Sequence, residues 1–131
     1  MKIIKNYLDW IYTKIILQEK IRLAIVKEGE VYWCSLGENI GDEENGKREK
    51  SRRPVLILKK FNNNIFLGVP MTTKNKDSKY YIKIILKDKS QSAMISQVRV
   101  LDTKRLAQKI GYVSRLDLIK VKEEVSKMII S

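Results

Sequence analysis

The chain has 131 residues, enough for one domain with a modest core, and 44% of them are hydrophobic, so we expect it to fold. Its 27 Lys and Arg outnumber its 15 Asp and Glu, and the net charge of +12 favours polyanions such as nucleic acids, although a lysine-rich proteome gives the same balance. A single cysteine, Cys34, excludes an internal disulfide and a cysteine zinc cluster, and no apolar run is long enough to span a membrane. With no signal-peptide core visible, we expect a cytoplasmic protein.

The N-terminal segment has a helical pattern over residues 3 to about 20. Four aliphatic side chains, spaced four, three and four residues apart, form a stripe on one helix face: Ile4, Leu8, Ile11 and Ile15. Tyr7 and Trp10 widen this apolar face. We therefore predict an N-terminal helical extension over residues 1–25, packed on the body or on a partner, followed by a barrel domain over residues 26–131.

The body begins with a strand over Val31–Leu36, and Cys34 within it is expected to be a buried small hydrophobe. A polar loop follows from Gly37 to Arg52, and loops of this length inside a compact domain are usually functional or disordered. The apolar runs 54–60 and 65–69 are predicted to form a hairpin across the turn Asn62–Asn64.

Further short strands are predicted over 80–86, 93–96, 98–101 and 110–113, with a helical turn capped by Asp102 before the last of them. The final segment is predicted to be a helix with Ser114 at its N-cap and Asp117 three residues later. Its core-facing stripe is Leu118, Val121, Val125 and Met128. The fold class is therefore mainly β with flanking helices (α+β), as a small, strongly bent sheet or barrel.

Five segments of the chain form an ordered set of motifs. They are Gly29-Glu-Val-Tyr-Trp, Gly41-Asp-Glu-Glu-Asn-Gly, Arg53-Pro-Val-Leu-Ile, Val69-Pro-Met-Thr-Thr and Ser96-Gln-Val-Arg-Val-Leu-Asp-Thr-Lys-Arg-Leu. In order and spacing, across about residues 26 to 129, this set resembles the MazF/PemK toxins of type II toxin-antitoxin systems.

The resemblance implies a small SH3-like β-barrel that forms a homodimer and cleaves single-stranded RNA at a short sequence, with no metal and no other cofactor. It places the catalytic arginine at Arg53, directly before Pro54, and the catalytic threonine at Thr72. It also implies that an acidic antitoxin protein occupies the RNA groove. We expect no membrane association.

The RNA-binding residues expected around these two are Asn45, Lys47, Arg52, Lys74, Gln97 and Arg99. The loop before Arg53 is longer than is common in the family, so Arg48 and Arg52 are rivals for the catalytic position. Only Arg53 directly precedes the proline.

The residue types suit metal-free cleavage, in which the ribose 2′-OH attacks phosphorus and leaves a 2′,3′-cyclic phosphate and a 5′-OH. The planar guanidinium of Arg53 can bind two phosphoryl oxygens, and Thr72 can donate a further hydrogen bond. An arginine stays protonated at ordinary pH, so the proton acceptor is expected to be Glu43 or Glu44 on the loop.

Two other functions stay open on the sequence. Toxins of the CcdB type share this fold but act on DNA gyrase, an activity tied to a C-terminal Trp-Gly-Ile. This chain ends in Met128-Ile-Ile-Ser131, which counts against that activity. The other alternative is a basic RNA-binding barrel that binds RNA without cutting it.

Overall fold

The structure is a computed structural model that describes residues 2–19, 25–37, 52–74 and 76–131. Its elements in chain order are α1 (Lys2–Glu19), β1 (Glu30–Ser35), β2 (Arg52–Lys60), β3 (Ile65–Thr72), β4 (Tyr81–Leu86), β5 (Lys89–Met94), β6 (Arg99–Asp102), β7 (Leu106–Tyr112) and α2 (Arg115–Ile130). Short 3-10 helices at Ile95–Gln97 and Thr103–Arg105 precede β6 and β7. The prediction of a mainly β chain with helices is confirmed, while the division into two regions at residue 25 stays a prediction.

The strands form one antiparallel sheet with the order β4-β5-β3-β2-β1-β7, and β6 pairs with β3. A register shift between Ile57 and Lys59 interrupts the β2–β3 ladder, and such bulges bend a strand. Within the described ranges the pairings run from β4 to β7 without closing. The SH3-like barrel therefore stays a prediction, whereas the bent, mainly antiparallel sheet is observed.

Local turn chemistry sets the two hairpins. The Asn62 side chain accepts hydrogen bonds from the backbone N–H groups of Asn64 (2.7 Å) and Ile65 (2.9 Å), which confirms the predicted asparagine turn. Lys87 and Asp88 both have positive φ, 50° and 63°, as a two-residue hairpin turn requires. Because this turn is so tight, β5 begins at Lys89 rather than at the predicted residue 93.

Each face of the sheet carries its own core. On one face, Val31, Leu56 and Val69 pack with buried residues of α2. On the other face, a smaller core contains Tyr32, Cys34, Val55, Ile57, Phe66, Leu101 and Leu106, and we call it the second core. Cys34 is fully buried there, as predicted. The candidate functional residues lie at one end of this second core.

α2 follows the sequence prediction closely. The Ser114 hydroxyl accepts from the backbone N–H of Asp117 (3.1 Å), so Ser114 is the N-cap. Val121 and Val125 are buried in the core, with Leu118 and Met128 packed beside them. None of the helices in the described ranges is long and apolar enough to cross a membrane.

α1 corrects the prediction about its packing face. Leu8, Ile11 and Ile15 are 60%, 53% and 56% exposed, whereas Trp10 is only 7% exposed. At about 100° per residue, the three aliphatic side chains lie roughly 100–160° around the helix from Trp10. Of the two predicted arrangements, packing of the stripe on the body is therefore wrong, and its packing on a partner stays a prediction. One indole anchors the helix instead, because it covers Gly37, which has no side chain.

We predict that Gly37 and Trp10 are energetically coupled. Gly37 has φ +78°, and a Cβ there would overlap the Trp10 indole, whereas a Cβ at Gly29 (φ +92°) meets Leu118 at 3.5 Å, an ordinary contact. The positive φ alone makes alanine cost about 1–2 kcal/mol. We expect Gly37→Ala to reduce the free energy of unfolding, measured with urea, by more than Gly29→Ala does.

In a Trp10→Ala background the cost of Gly37→Ala is expected to fall to that of Gly29→Ala, because the obstructing ring is gone. Equal costs for the two alanine variants in the wild-type background would contradict the packing described for α1.

Candidate functional site

Backbone pairing brings Arg53 and Thr72 to the same end of the second core. Arg53 pairs with Cys34 of β1, and the β2–β3 ladder ends at Val55 opposite Pro70, so that Arg53 and Thr72 each lie two residues beyond this last pair, on the same faces as Val55 and Pro70. Residues directly opposite on antiparallel strands project to the same face. The two predicted catalytic residues therefore lie on neighbouring strands with their side chains on one face.

Arg53 is buried within the sheet, although the predicted strand begins only after it, at residue 54. Its side chain is 4% exposed, and its Nη1 donates to the backbone carbonyl of Met71 (3.2 Å), next to Thr72. The difference arises because β2 begins at Arg52, two residues earlier than predicted, so that Arg53 has β1 on one side and β3 on the other. A buried guanidinium held by a carbonyl is already oriented before a ligand arrives.

Thr72 ends β3 and is half-buried. Its Oγ1 accepts a hydrogen bond from the backbone N–H of Lys74 (3.2 Å). A hydroxyl has one donor and can accept at the same time, so this contact orients the oxygen and leaves the hydroxyl proton to be donated. The geometry of Thr72 therefore allows its hydroxyl to donate a hydrogen bond to a phosphoryl oxygen.

A cavity of about 440 Å³ lies between the end of β1, β3 and the segment before β6, and neither Arg53 nor Thr72 lines it. Leu36, which follows β1, and Pro70 of β3 line it from the two sides of β2, and Gln97 and Arg99 line it from the segment before β6. Gln97 ends the 3-10 helix Ile95–Gln97 and lines this cavity together with Arg99. The cavity can accommodate a polar, anionic group.

The other predicted residues divide into those that the structure describes and those that lie outside it. Arg52 is half-buried, and its Nε is buried with no hydrogen-bond partner among the described residues, an arrangement that costs about 1–3 kcal/mol. Lys74 is exposed just beyond Thr72. The loop residues outside the described ranges are Glu43, Glu44, Asn45, Lys47 and Arg48.

The sequence did not identify two side chains at this end of the core, Trp10 and Arg105. Arg105 lies over the Trp10 ring, 5.6 Å from its centroid, and its Nη1 donates to the Ser35 carbonyl (3.1 Å). Burial lowers the pKa of the Arg105 guanidinium, and the positive charge of Arg99 also lowers it. The nearby Cys34 and Asp102 act in the opposite direction and raise this pKa. Only the Thr-Lys-Arg-Leu motif pointed to Arg105, and it gave no role.

A basic segment with two tyrosines leads away from Thr72. Lys76 lies over the Tyr81 ring at 5.5 Å, and Lys79 lies over the Tyr80 ring at 5.1 Å. Such pairs combine a cation with an aromatic face, and both groups attract nucleic acid. Because the rings already hold lysines, we expect this segment to attract phosphate more than to stack bases.

A larger cavity, about 620 Å³, lies elsewhere, between the start of β1 and α2. Its carboxylates are occupied by lysines: Glu28 accepts from Lys122 (2.8 Å), and Glu30 accepts from Lys109. The hydrogen bond from Lys122 lowers the pKa of Glu28, helped by the backbone N–H of Lys60 and opposed by burial. These carboxylates join β1 to its neighbours, so we assign them a structural role.

A known family model matches most of the chain. Residues 27–129 match the family model described as "PemK-like, MazF-like toxin of type II toxin-antitoxin system". The chain belongs to this family. The family is known for endoribonucleases, and α1 lies outside the matched residues. No curated protein matches the chain in sequence.

Solved structures show the same fold. A crystal structure of MazF from Deinococcus radiodurans has a TM-score of 0.70 at 19% identity and covers 83% of this chain and 100% of its own. A MazE–MazF structure from the same organism has a TM-score of 0.65 at 16% identity, covering 83% and 100%. An endoribonuclease with its cognate antitoxin from a mycobacterial species has a TM-score of 0.61 at 16% identity, covering 82% and 95%.

The titration of Glu28 gives a prediction about acid stability. The pKa of Glu28 in the folded chain is lowered from 4.5. Its contribution to the free energy of unfolding is therefore complete above pH 4.5 and is lost as the pH falls through the lower pKa of the folded chain. We expect Glu28→Gln to reduce the free energy of unfolding by about 1 kcal/mol at pH 7. The loss is expected to be much smaller at a pH well below 4.5.

Urea unfolding at the two pH values measures this difference, with Glu123→Gln as the control because Glu123 is an exposed carboxylate of α2. A Glu28→Gln deficit that is equally large at both pH values would show that the Glu28 carboxylate does not act through its charge.

Proposed function

We propose that this protein is a toxin endoribonuclease that cleaves single-stranded RNA, such as mRNA, at a short specific sequence without a metal. The observation that carries the proposal is that Arg53 and Thr72 lie at the same end of the paired strands β2 and β3, where Arg53 donates to the carbonyl of Met71, the residue before Thr72. Gln97 and Arg99 line a cavity that reaches Pro70 of the same strand. Membership of the MazF-like family supports the same activity. The products are a 2′,3′-cyclic phosphate and a 5′-OH.

The proposed reaction uses the substrate's own 2′-OH as nucleophile. Its oxygen bonds to the adjacent phosphorus as the bond from phosphorus to the 5′ oxygen breaks, and the leaving oxygen takes a proton. Negative charge grows on the non-bridging oxygens, where the guanidinium of Arg53 and the hydroxyl of Thr72 stabilise it. Preorganised donors of this kind contribute about 10²–10³ in rate each.

The proton of the 2′-OH needs an acceptor other than Arg53, because a guanidinium stays protonated. We assign this role to Glu43 or Glu44, the carboxylates of the glycine-rich loop that leads into β2. Asn45 and Lys47 of the same loop, with Arg52, Lys74, Gln97 and Arg99, are proposed to hold the RNA. Arg52 fits this role because its buried Nε lacks a partner among the described residues.

The partners follow from the same site. We propose that an acidic antitoxin restrains the toxin by occupying the RNA groove. The net charge of +12 on the chain favours an acidic partner. Complexes of related MazF proteins with MazE support such a partner. We further propose a homodimer and action in the cytoplasm, where the RNA substrate is found.

The test is incubation of the purified protein with a long RNA in excess EDTA, with the cut ends mapped. We expect discrete cuts that bear 5′-OH ends. Arg53→Lys and Thr72→Val are expected to slow single-turnover cleavage by about 10²-fold or more, because each removes a donor from the phosphoryl group. Arg115→Gln, which removes an exposed cation at the start of α2, is the matched control and should cleave normally.

Thermal unfolding must show that the Arg53 and Thr72 variants remain folded, since Arg53 also contacts the Met71 carbonyl. Cuts that disappear in EDTA would contradict the metal-free reaction. Cuts that persist at full rate in both variants would remove Arg53 and Thr72 from the reaction.

The double variant Glu43→Gln/Glu44→Gln tests the proton acceptor. We expect single-turnover cleavage to fall by about 10²-fold near neutral pH, since general base catalysis is worth at least that much. The rate is measured on the same RNA against Asp42→Asn, which changes a neighbouring acid on the loop. An unchanged rate in the double variant would show that neither glutamate accepts the proton.

A further inference from the structure

We propose that Arg105 and Arg99 form a binding site for a second phosphate of the RNA backbone, and that Trp10 of α1 positions Arg105 within it. The proposal rests on the proposed function, because the ligand is the RNA that the Arg53 site would cleave. It adds a site residue from the helix that precedes the family-matched region, which begins at residue 27.

The two arginines converge on the same part of β1. Arg105 donates from Nη1 to the Ser35 carbonyl (3.1 Å), and the next residue, Leu36, lines the 440 Å³ cavity together with Arg99. Arg99 begins β6, and Arg105 ends the short turn Thr103–Arg105 that follows this strand; Asp102 caps the turn by accepting from the backbone N–H of Lys104. The lowered pKa of Arg105 agrees with this proximity, since the charge of Arg99 contributes to it after burial.

Among the described residues neither arginine forms an ion pair, and the one carboxylate whose charge acts on Arg105 is Asp102. Within the described ranges the ion pairs all use lysines, namely Lys59, Lys109, Lys122 and Lys127. Two neighbouring guanidinium groups repel each other, and an anion between them relieves the repulsion. A phosphodiester fits because each guanidinium can offer a planar pair of N–H donors to its oxygens.

Trp10 fixes the orientation of Arg105. The guanidinium lies over the indole, and the same indole covers Gly37, whose missing side chain provides the space. An arginine held between an aromatic face and a backbone carbonyl retains few rotamers, so binding a phosphate costs less ordering entropy. Trp10 is therefore a positioning residue that acts through Arg105.

The site lies one strand away from the reaction. Arg53 pairs with Cys34 on one side of β1, and Leu106, directly after Arg105, pairs with Cys34 on the other side. Strands in a sheet are about 4.8 Å apart, so the two positions are separated by about 10 Å across β1. This spacing is of the order of the distance between phosphates of an extended RNA strand, so that one RNA can reach both arginines.

The experiment measures binding of short 2′-O-methyl RNAs of random sequence over a series of salt concentrations. These RNAs lack the free 2′-OH and cannot be cleaved, so that binding is observed alone. For single strands the salt slope changes by about 0.7 for each phosphate that the protein neutralises. We expect Arg105→Gln to lower the slope by about that amount and the affinity at low salt about tenfold.

The variants distinguish positioning from charge. Arg105→Lys keeps the charge, so it should keep the slope but bind more weakly. Trp10→Ala should weaken binding in the same direction as Arg105→Gln, and the double variant should be no weaker than Arg105→Gln alone, because Trp10 acts through Arg105. Trp10→Phe, which keeps an aromatic face, serves if Trp10→Ala fails to fold. Tyr12→Ala, 68% exposed on the same helix, is the structural control.

Three results would overturn the proposal. One is an Arg105→Gln slope no different from that of Arg115→Gln, which removes a remote cation. Another is strict additivity of Trp10→Ala and Arg105→Gln. The third is an Arg105→Gln variant that keeps the RNA salt slope but binds poly-L-glutamate more weakly. That result would assign the two arginines to an acidic protein partner. If Arg105→Gln lowers the salt slope as expected but the wild-type protein does not cleave ordinary RNA, the nuclease is refuted and the phosphate site stands.

Discussion

β2 runs between β1 and β3, and its pairing with both strands decides where the charged groups of the candidate site lie. With Cys34 opposite Arg53 on one side and the Val55–Pro70 register on the other, the arginine and Thr72 must share a face. A shift of one residue would turn both side chains to the opposite face, where α2 closes the larger core. The apolar residues Val55 and Ile57 hold the register because they are fully buried in the second core.

The end of the second core concentrates positive charge in a protected setting. Arg53 is buried there, and Arg105 is held against an indole, while the neighbouring Arg52 projects to the opposite face of β2 and has a buried Nε with no partner among the described residues. Such groups lower the stability of the free protein, because a desolvated charge or donor needs a partner. Net charge and burial together make an anionic ligand the natural partner, and RNA and an acidic antitoxin both fit that requirement. The proposed function therefore expects RNA and the antitoxin to compete for one surface.

The features that the sequence predicted correctly depend on neighbouring residues. The Asn62 turn, the Ser114 cap and the stripe Val121–Val125 are each decided within a few positions. The motif order also led to the family, although at 15–19% identity to the matched structures no single motif is sufficient.

The features that the sequence did not predict depend on contacts between distant segments. The burial of Arg53 results from strands on both sides of it, and the packing of α1 depends on Trp10 meeting Gly37 and Arg105. The periodic stripe on α1 was the stronger local signal, yet it faces outward. A periodic pattern shows which face is apolar but not what covers it.

The most direct test of the account concerns the nucleophile. Once a cut site has been mapped, the same RNA is prepared with a single 2′-deoxyribose on the 5′ side of the scissile phosphate, and its cleavage is followed in EDTA. The account predicts that this cut disappears while cuts elsewhere in the RNA proceed at their usual rates, because Arg53 and Thr72 assist an attack that the substrate itself makes. Continued cleavage at the deoxy position would contradict it, since the nucleophile would then be a water molecule.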